Sequence, residues 1–269
     1  MYETLKTELQ DGIMTVTLNR PHKMNAFTLK MSEELIHFYD EVNNNDDVRV
    51  IVVTGAKSTF CAGLDLADSE KVLSPNLSEE SYRDIGGQVS LQMLQVNKPI
   101  IAAINGAAIG IGITMTLPMD IRIMQSDAKA GFVFSQRGIG PEACSGWILP
   151  RLVGVGKAME WMITGNYISA DEALTAGLVQ YVEQDPLRKA YELAKGIVER
   201  TAPSSVAFTR QLLWGMLMEN DPMTSHLIES RFLHWAGQGD AKEGIASFLE
   251  NREAVFKAKA SDLPDFFNS

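Results

Sequence analysis

Residues 48–54, Val-Arg-Val-Ile-Val-Val-Thr, form a near-continuous β-branched run closed by Gly55. A strand that is apolar on both faces needs cover on both, and a parallel sheet between helices provides it. A second run, Pro99–Ile104 (PIIAAI), stops at Asn105-Gly106, and Pro118–Met124 (PMDIRIM) is a third strand candidate. Between these runs the period changes. Met31, Leu35, Phe38 and Val42 recur at helical spacing behind Thr28, a good N-cap. Residues 79–96 read as another helix, and a short apolar helix is expected from about Gly110. Near the start, Tyr2–Leu9 and Ile13–Asn19 flank Asp11-Gly12, a hairpin signal. Strand–helix alternation at these spacings predicts parallel βαβ units with right-handed crossovers.

From about residue 142 the pattern is mostly helical, punctuated at Gly154, Gly165, Gly177 and Pro203. Apolar stripes are expected at Val206, Leu213, Met216 and Leu217, and at Ile245, Phe248 and Leu249. No internal repeat or low-complexity tract is visible. The expected division is an α/β core over 1–200 and a helical region over 201–269. So thin a helical layer buries little by itself, so it should pack on the core or on a neighbouring subunit.

The formal net charge is −10 over 269 residues. An acidic surface repels phosphate backbones and anionic lipid, so neither nucleic acid nor a membrane is expected as the main partner. The two cysteines, Cys61 and Cys144, read as reduced thiols. The polar opening MYETLKTELQDG lacks the signal-peptide pattern, and no run reaches the ~18 apolar residues of a membrane span. A cytoplasmic protein is the expectation. The four histidines, His22, His37, His226 and His234, show no ligand spacing, so no metal site is expected. His234, beside Trp235, reads as a packed structural residue. Gly110-Ile111-Gly112 fails the dinucleotide fingerprint because its third glycine would fall at Met115. Ser145 lies between Ala143 and Trp147 at ±2, which is not a nucleophile elbow.

Two segments place glycines at strand ends, where sites form in parallel sheets. They are Ser58–Leu66 (STFCAGLDL) and Lys98–Gly112 (KPIIAAINGAAIGIG). Small residues let backbone N–H groups reach a ligand, and two such groups converging on one carbonyl oxygen make an oxyanion hole. Taken singly, Gly63 and Gly110 need mean no more than tight turns.

Together these segments resemble the crotonase, or enoyl-CoA hydratase/isomerase, superfamily. The resemblance runs nearly the whole chain. It takes in Asn19-Arg20-Pro21, Asn25-Ala26, Ile51–Gly55, Phe60–Asp65, Lys98-Pro99, Asn105-Gly106, Arg151–Gly154, Thr164-Gly165, Ala241–Ile245 and Phe248–Glu250. It implies an α/β fold, a crotonase-like spiral of repeated ββα units with a helical C-terminal region. It implies an acyl-CoA thioester as ligand, with coenzyme A as part of the substrate and no tightly bound cofactor. It implies an oxyanion hole from the N–H groups of Leu64 and Ile111, with Ala62, Gly63, Asp65 and Gly110 shaping the substrate loops. It also implies a homotrimer or dimer of trimers in which 201–269 serves trimerisation.

The acid–base residues must then choose the reaction. Hydratases of this family use two glutamates, and the matching positions here hold Thr114 and Phe134. Glu142, in Gly138–Trp147 (GIGPEACSGW), resembles the lone proton-shuttling glutamate of delta-3,delta-2-enoyl-CoA isomerases. Moving a double bond from C3 to C2 needs a proton removed at C2 and returned at C4, which one carboxylate can do. Phe134 and Trp147 would give it an apolar pocket. The other readings are a hydratase, lyase or hydrolase using Glu142 alone, and a non-catalytic acyl-CoA-binding scaffold. Asp65 is expected to organise its loop through backbone bonds, and Cys61 and Cys144 to be small core residues. Phe248 matches a position that packs near the CoA of a neighbouring subunit. The phosphate lysine that the family often has three residues later is Asn251 here, with Arg252 beside it, and Lys23 and Arg20 are the alternatives. Residues 67–78 are expected to flank the acyl pocket.

Overall fold

The computed structural model describes residues 2–68, 72, 78 and 80–267. β1 (Leu5–Gln10) and β2 (Ile13–Leu18) form the expected hairpin. Asp11 and Gly12 both take positive φ, 50° and 77°, the turn whose twist matches the flanking strands. Thr28 caps α1 (Leu29–Val42), its hydroxyl accepting from the Met31 N–H at 3.1 Å.

The chain then repeats one move three times. A long strand enters a large sheet, a strand of three residues enters a small one, and a helical segment follows. The pairs are β3 (Val50–Gly55) with β4 (Thr59–Cys61), β5 (Ile100–Ile104) with β6 (Ala107–Ile109), and β7 (Ile121–Gln125) with β8 (Lys129–Gly131). α2 (Ile85–Leu94) follows the first pair and α3 (Ile111–Thr114) the second. The third is followed, after a single 3-10 turn, by α4 (Ser145–Val153). Thereafter come α5 (Val155–Thr164), β9 (Tyr167–Ser169), α6 (Ala170–Thr175), β10 (Tyr181–Glu183), α7 (Pro186–Arg200), α8 (Pro203–Met216), α9 (Pro222–Ala236) and α10 (Asp240–Glu250). The large sheet runs β1-β2-β3-β5-β7-β10, parallel except at β1. The small one runs β4-β6-β8-β9, parallel except at β9. This is the spiral of ββα units that the resemblance implies. It is a repeat that no sequence period displays, because the helical segments differ in length and the second strands are too short to carry one.

β3 and β5 are buried throughout, and their alternate residues serve two cores. Ile51, Val53, Ile100, Ala102 and Ile104 face the larger core with α1 and α2. Val50, Val52, Ile101 and Ala103 face Ala190 and Ala194 of α7. The break between the sheets is held by two asparagines. Asn105 Nδ2 donates to Gly55 O (2.8 Å) and Lys57 O (2.7 Å), while its Oδ1 accepts from Gly55 N. Fully buried Asn25 donates to Ala56 O and Thr59 O. At Gly106, φ is 157° and a side chain would drive into the Ser58 carbonyl, so the turn needs glycine.

Two expectations are corrected, the extent of the third strand and the packing of His234. Pro118–Met124 is a strand only from Ile121, because Asp120 is used otherwise. Its carboxylate accepts from Ile100 N (2.7 Å), Arg210 Nε (2.9 Å) and Trp214 Nε1 (2.8 Å). Arg210 of α8 also reaches the carbonyls of Met93 and Val96, clamping α8 to the core. The C-terminal helices pack through Phe208, Ile228, Phe232, Ala236 and Phe266, with Phe208 and Phe232 stacked 3.9 Å apart. Of the expected stripes, Met216 packs against this cluster, whereas Leu213, 64% exposed, and Phe248, 81% exposed, point outward. His234 is exposed on α9 and bonds Gln238 rather than packing in a core.

Replacing Asn105 by Ala leaves Gly55 N, Gly55 O and Lys57 O without their partner. Chemical denaturation should register a loss of about 1–3 kcal/mol.

Candidate active site

The two glycine segments are neighbours because β4 and β6 are parallel partners, Thr59 opposite Ala107 and Cys61 opposite Ala108. Both leave the small sheet at the same edge. Space between them is minimal: a side chain on Gly63 would lie 3.1 Å from Ile109 O, and one on Gly112 would strike the Cys61 carbonyl. Gly110 adopts φ 54°, ψ −122°, and its N–H is fixed to Gly131 O at 2.8 Å.

This arrangement frees two N–H groups. Phe27 N donates to Gly63 O and Asp65 N donates to Phe27 O, so the bridge between Phe27 and Leu64 turns the N–H of Leu64 to the opposite side. Ile111 opens α3, where no preceding carbonyl is placed to receive its N–H. Among the described residues no protein acceptor takes either group. Arg20 braces the first loop, with Nη2 2.8 Å from Asp65 Oδ2 and Nη1 donating to Ala26 O. This guanidinium holds the Asp65 carboxyl below its usual range, and the Ala67 N–H adds a bond to Asp65 Oδ1.

Glu142 lies just before α4. Its carboxylate accepts from the Thr114 hydroxyl of α3, and the same hydroxyl lies 3.3 Å from Gly110 O. Its other oxygen lies over Gly86 of α2. A Cβ there would collide with Glu142 Oε2, with Ile111 Cδ1 and with the Ala143 methyl, so these three converge on one point. The backbone of Glu142 is equally fixed, since Ser145 N and Ser145 Oγ both donate to its carbonyl. Ala143 and Cys144 take left-handed φ of 55° and 58°. Asp84 ties this strained turn to α2: its carboxylate caps Gly86 N (3.1 Å) and Gly87 N (2.7 Å) and accepts Ala143 N (2.7 Å).

No cation neighbours Glu142 among the described residues. Burial is the main cause that pushes its pKa up to about 8; the Thr114 bond opposes that, and the Asp84 charge adds to it. Cys61, fully buried, is pushed up to about 12, and burial also raises Cys144, so neither is a thiolate at neutral pH.

The structure thus brings together Ala62, Gly63, Leu64, Gly110, Ile111, Phe134 and Glu142, with buried Phe134 4.0 Å from where a Gly110 side chain would start. Trp147 stands on the first turn of α4 with the Arg151 guanidinium 4.1 Å over its ring. Phe248 is not part of this group and projects from α10. Arg20 and Arg252, expected as phosphate substitutes, are otherwise engaged: Arg20 with Asp65, and Arg252 with Glu243 at 2.6 and 2.9 Å and with Glu250. Neither the hold of Asp84 on the neighbouring Ala143 N–H nor the Thr114 bond to Glu142 was expected. The N-cap pattern Asp84-Ile85-Gly86-Gly87 was the available signal for the first. Most of 67–78, expected to flank an acyl pocket, lies outside the described residues.

An acidic group kept protonated by burial, beside two free backbone donors, is the equipment of proton transfer next to a carbonyl. The enoyl-CoA hydratase/isomerase family model matches residues 8–259. The chain is 38% identical over 251 residues to the enoyl-CoA hydratase ACTT3 of Alternaria alternata, covering 92% of this chain and 83% of that one. It is 32% identical over 267 residues to the 1,2-epoxyphenylacetyl-CoA isomerase of Escherichia coli (strain K12), covering 96% and 100%. The crystal structure of an enoyl-CoA hydratase from Bacillus anthracis superposes with a TM-score of 0.85 at 31% identity, covering 95% and 99%. This chain belongs to the enoyl-CoA hydratase/isomerase, or crotonase, family of enzymes, which act on CoA thioesters.

The buried acid has a cost. The unfolded chain ionises Glu142 near 4.5 and the folded protein near 8, so between these values only the unfolded state has released the proton. Stability therefore falls as pH rises through that interval. The Glu142→Gln variant should unfold at higher denaturant than wild type at pH 8, by about 1–3 kcal/mol, with the difference vanishing near pH 4.

Proposed function

We propose that this enzyme moves a double bond from C3 to C2 of an acyl-CoA, with Glu142 as the proton carrier. The observation that carries this reading is a single half-buried carboxylate beside the free Leu64 and Ile111 N–H groups, where the family's hydratases hold two glutamates. Thr114 and Phe134 fill those positions, and neither can orient and deprotonate a water.

In the proposed cycle the thioester oxygen lies between the two N–H groups. Ionised Glu142 takes a proton from C2: the C–H bond breaks, an O–H bond forms, and the electron pair passes into the thioester as a dienolate. The two N–H groups stabilise the oxyanion. The carboxyl then returns its proton at C4, and the electrons settle as a C2=C3 bond conjugated with the carbonyl. Ala62, Gly63, Asp65 and Gly110 hold the loops that receive the thioester, while Phe134 and Trp147 keep the site apolar. A carboxyl with a pKa near 8 suits both halves of this cycle, because giving and taking the proton are then closely balanced.

The name of the Alternaria relative favours a second reading, in which Glu142 alone directs water to the same ligand. Incubation with 3-enoyl-CoA separates the two, since the isomerase reading requires 2-enoyl-CoA to accumulate faster than 3-hydroxyacyl-CoA. Glu142→Gln should lose about 10²–10⁴-fold in turnover; unchanged turnover would sink the assignment. In the wild type, kcat/KM should climb about tenfold per pH unit on the acid side and level off above about 8, as the base ionises.

We also propose that the protein is a homotrimer or a dimer of trimers, held through 201–269. The support is an apolar groove between α4 and α8, lined by Ile148, Leu152, Val206, Leu213 and Leu217, together with the exposed Ile245, Phe248 and Leu249 of α10. No helix among the described residues is long and apolar enough to cross a membrane. Light scattering should give three or six times the chain mass, and Leu213→Asp should lower it.

A further inference from the structure

Thr114 is completely buried, and its hydroxyl has two acceptors and one proton. One acceptor is Glu142 Oε1. The other is Gly110 O, which belongs to the same peptide unit as the Ile111 N–H. A threonine that bonds the carbonyl four residues back is commonplace in a helix. Here α3 has only four residues, and the second acceptor is the carboxylate of the site.

We propose that Thr114 is a positioning residue whose hydroxyl couples the charge on Glu142 to the donor strength of the Ile111 N–H. The coupling rests on the acyl-CoA reading above. While Glu142 is ionised, its oxygen is the stronger acceptor and draws the hydroxyl proton, because bonds to a charged acceptor are about twice as strong as neutral ones. When Glu142 has taken the C2 proton, Oε1 becomes a neutral and weaker acceptor, and the hydroxyl proton turns to Gly110 O. A hydrogen bond to that carbonyl polarises its peptide unit and makes the attached N–H a better donor. The oxyanion hole therefore tightens as the enolate charge arrives and relaxes when the proton goes back. No bond is made or broken at Thr114 itself; only its hydroxyl rotates.

The other titratable groups around Glu142 leave this exchange undisturbed. Asp84, at the start of α2, is fixed by three backbone N–H groups. Cys61 on β4, Tyr82 ahead of α2, and Cys144 at the start of α4 all have their pKa values raised by burial, so they stay neutral where Glu142 titrates.

The test reads the carbonyl directly. Butanoyl-CoA labelled with ¹³C at the thioester carbon is bound to the full-length enzyme, and its C=O stretch is followed by infrared difference spectroscopy across the Glu142 titration. In wild type the band should lie at lower frequency on the acid side, where the Ile111 donor is stronger. A direct field from the Glu142 charge would shift the band the same way but would persist without the hydroxyl. Thr114→Val should therefore shrink the pH-dependent shift about twofold or more, Thr114→Ser should keep it, and Glu142→Gln should abolish it. Thr114→Val should also lower kcat about tenfold while leaving KM within about twofold. A band that does not move with pH in wild type, or moves equally in Thr114→Val, overturns the coupling. If the valine variant misfolds, Thr114→Ala, which also lacks the hydroxyl, takes its place under the same two criteria. Equal shifts with normal isomerisation sink the coupling alone, whereas failure of butanoyl-CoA to bind overturns the acyl-CoA reading and the coupling together.

Discussion

A half-buried carboxyl group with no cation beside it is the constraint around which the centre of this molecule is arranged. Such a group is tolerated only if it stays protonated or if fixed dipoles replace the water it has lost. The protein uses one hydroxyl, Thr114, and otherwise surrounds Glu142 with apolar side chains and rigid backbone. That rigidity is supplied from a distance. Asp84 binds the start of α2 to Ala143, Ser90 donates to Ala143 O, and Ser145 closes on Glu142 O. Two consecutive non-glycine residues in the left-handed region mark the strain these bonds hold in place.

The other half of the site contains no reactive side chain. Its donors are peptide groups, freed because β4 and β6 end side by side and because each loop bonds its neighbours in only one direction. The doubled sheet makes this possible. Each long strand in the large sheet gives stability, and each short strand after it aims a loop. Asn105 and Asn25 grip the turn that joins β3 to β4, so the loops inherit the rigidity of the sheet.

What the sequence disclosed and what it hid follow from the same physics. β3, β5 and α1 were readable because burial on both faces, or along one stripe, imposes a period. Strands of three residues such as β4 and β6 carry none, and their glycine-rich ends pointed to the site only when two segments were taken together. Glu142 was legible as an acid in an unusual place. Its partners were not: Thr114 and Asp84 are small polar residues whose meaning comes only from what lies across space. In the C-terminal helices the sequence did not separate Phe208, Ile228 and Phe232, which fill a core, from Leu213 and Phe248, which face outward, because packed and exposed apolar residues look the same in sequence. Nor did the sequence show that Arg20 is paired with Asp65 and Arg252 with Glu243, since a free cation and a paired one are spelled alike.

Gly86 holds its position by lacking a methyl group. The carboxylate of Glu142, the end of Ile111 and Ala143 all crowd the place where that methyl would stand. One added carbon on α2 would press on the ends of Glu142 and Ile111 at once, and both would have to shift. The placing of the Glu142 carboxylate thus depends on a helix that offers it no bonding group, only an empty place.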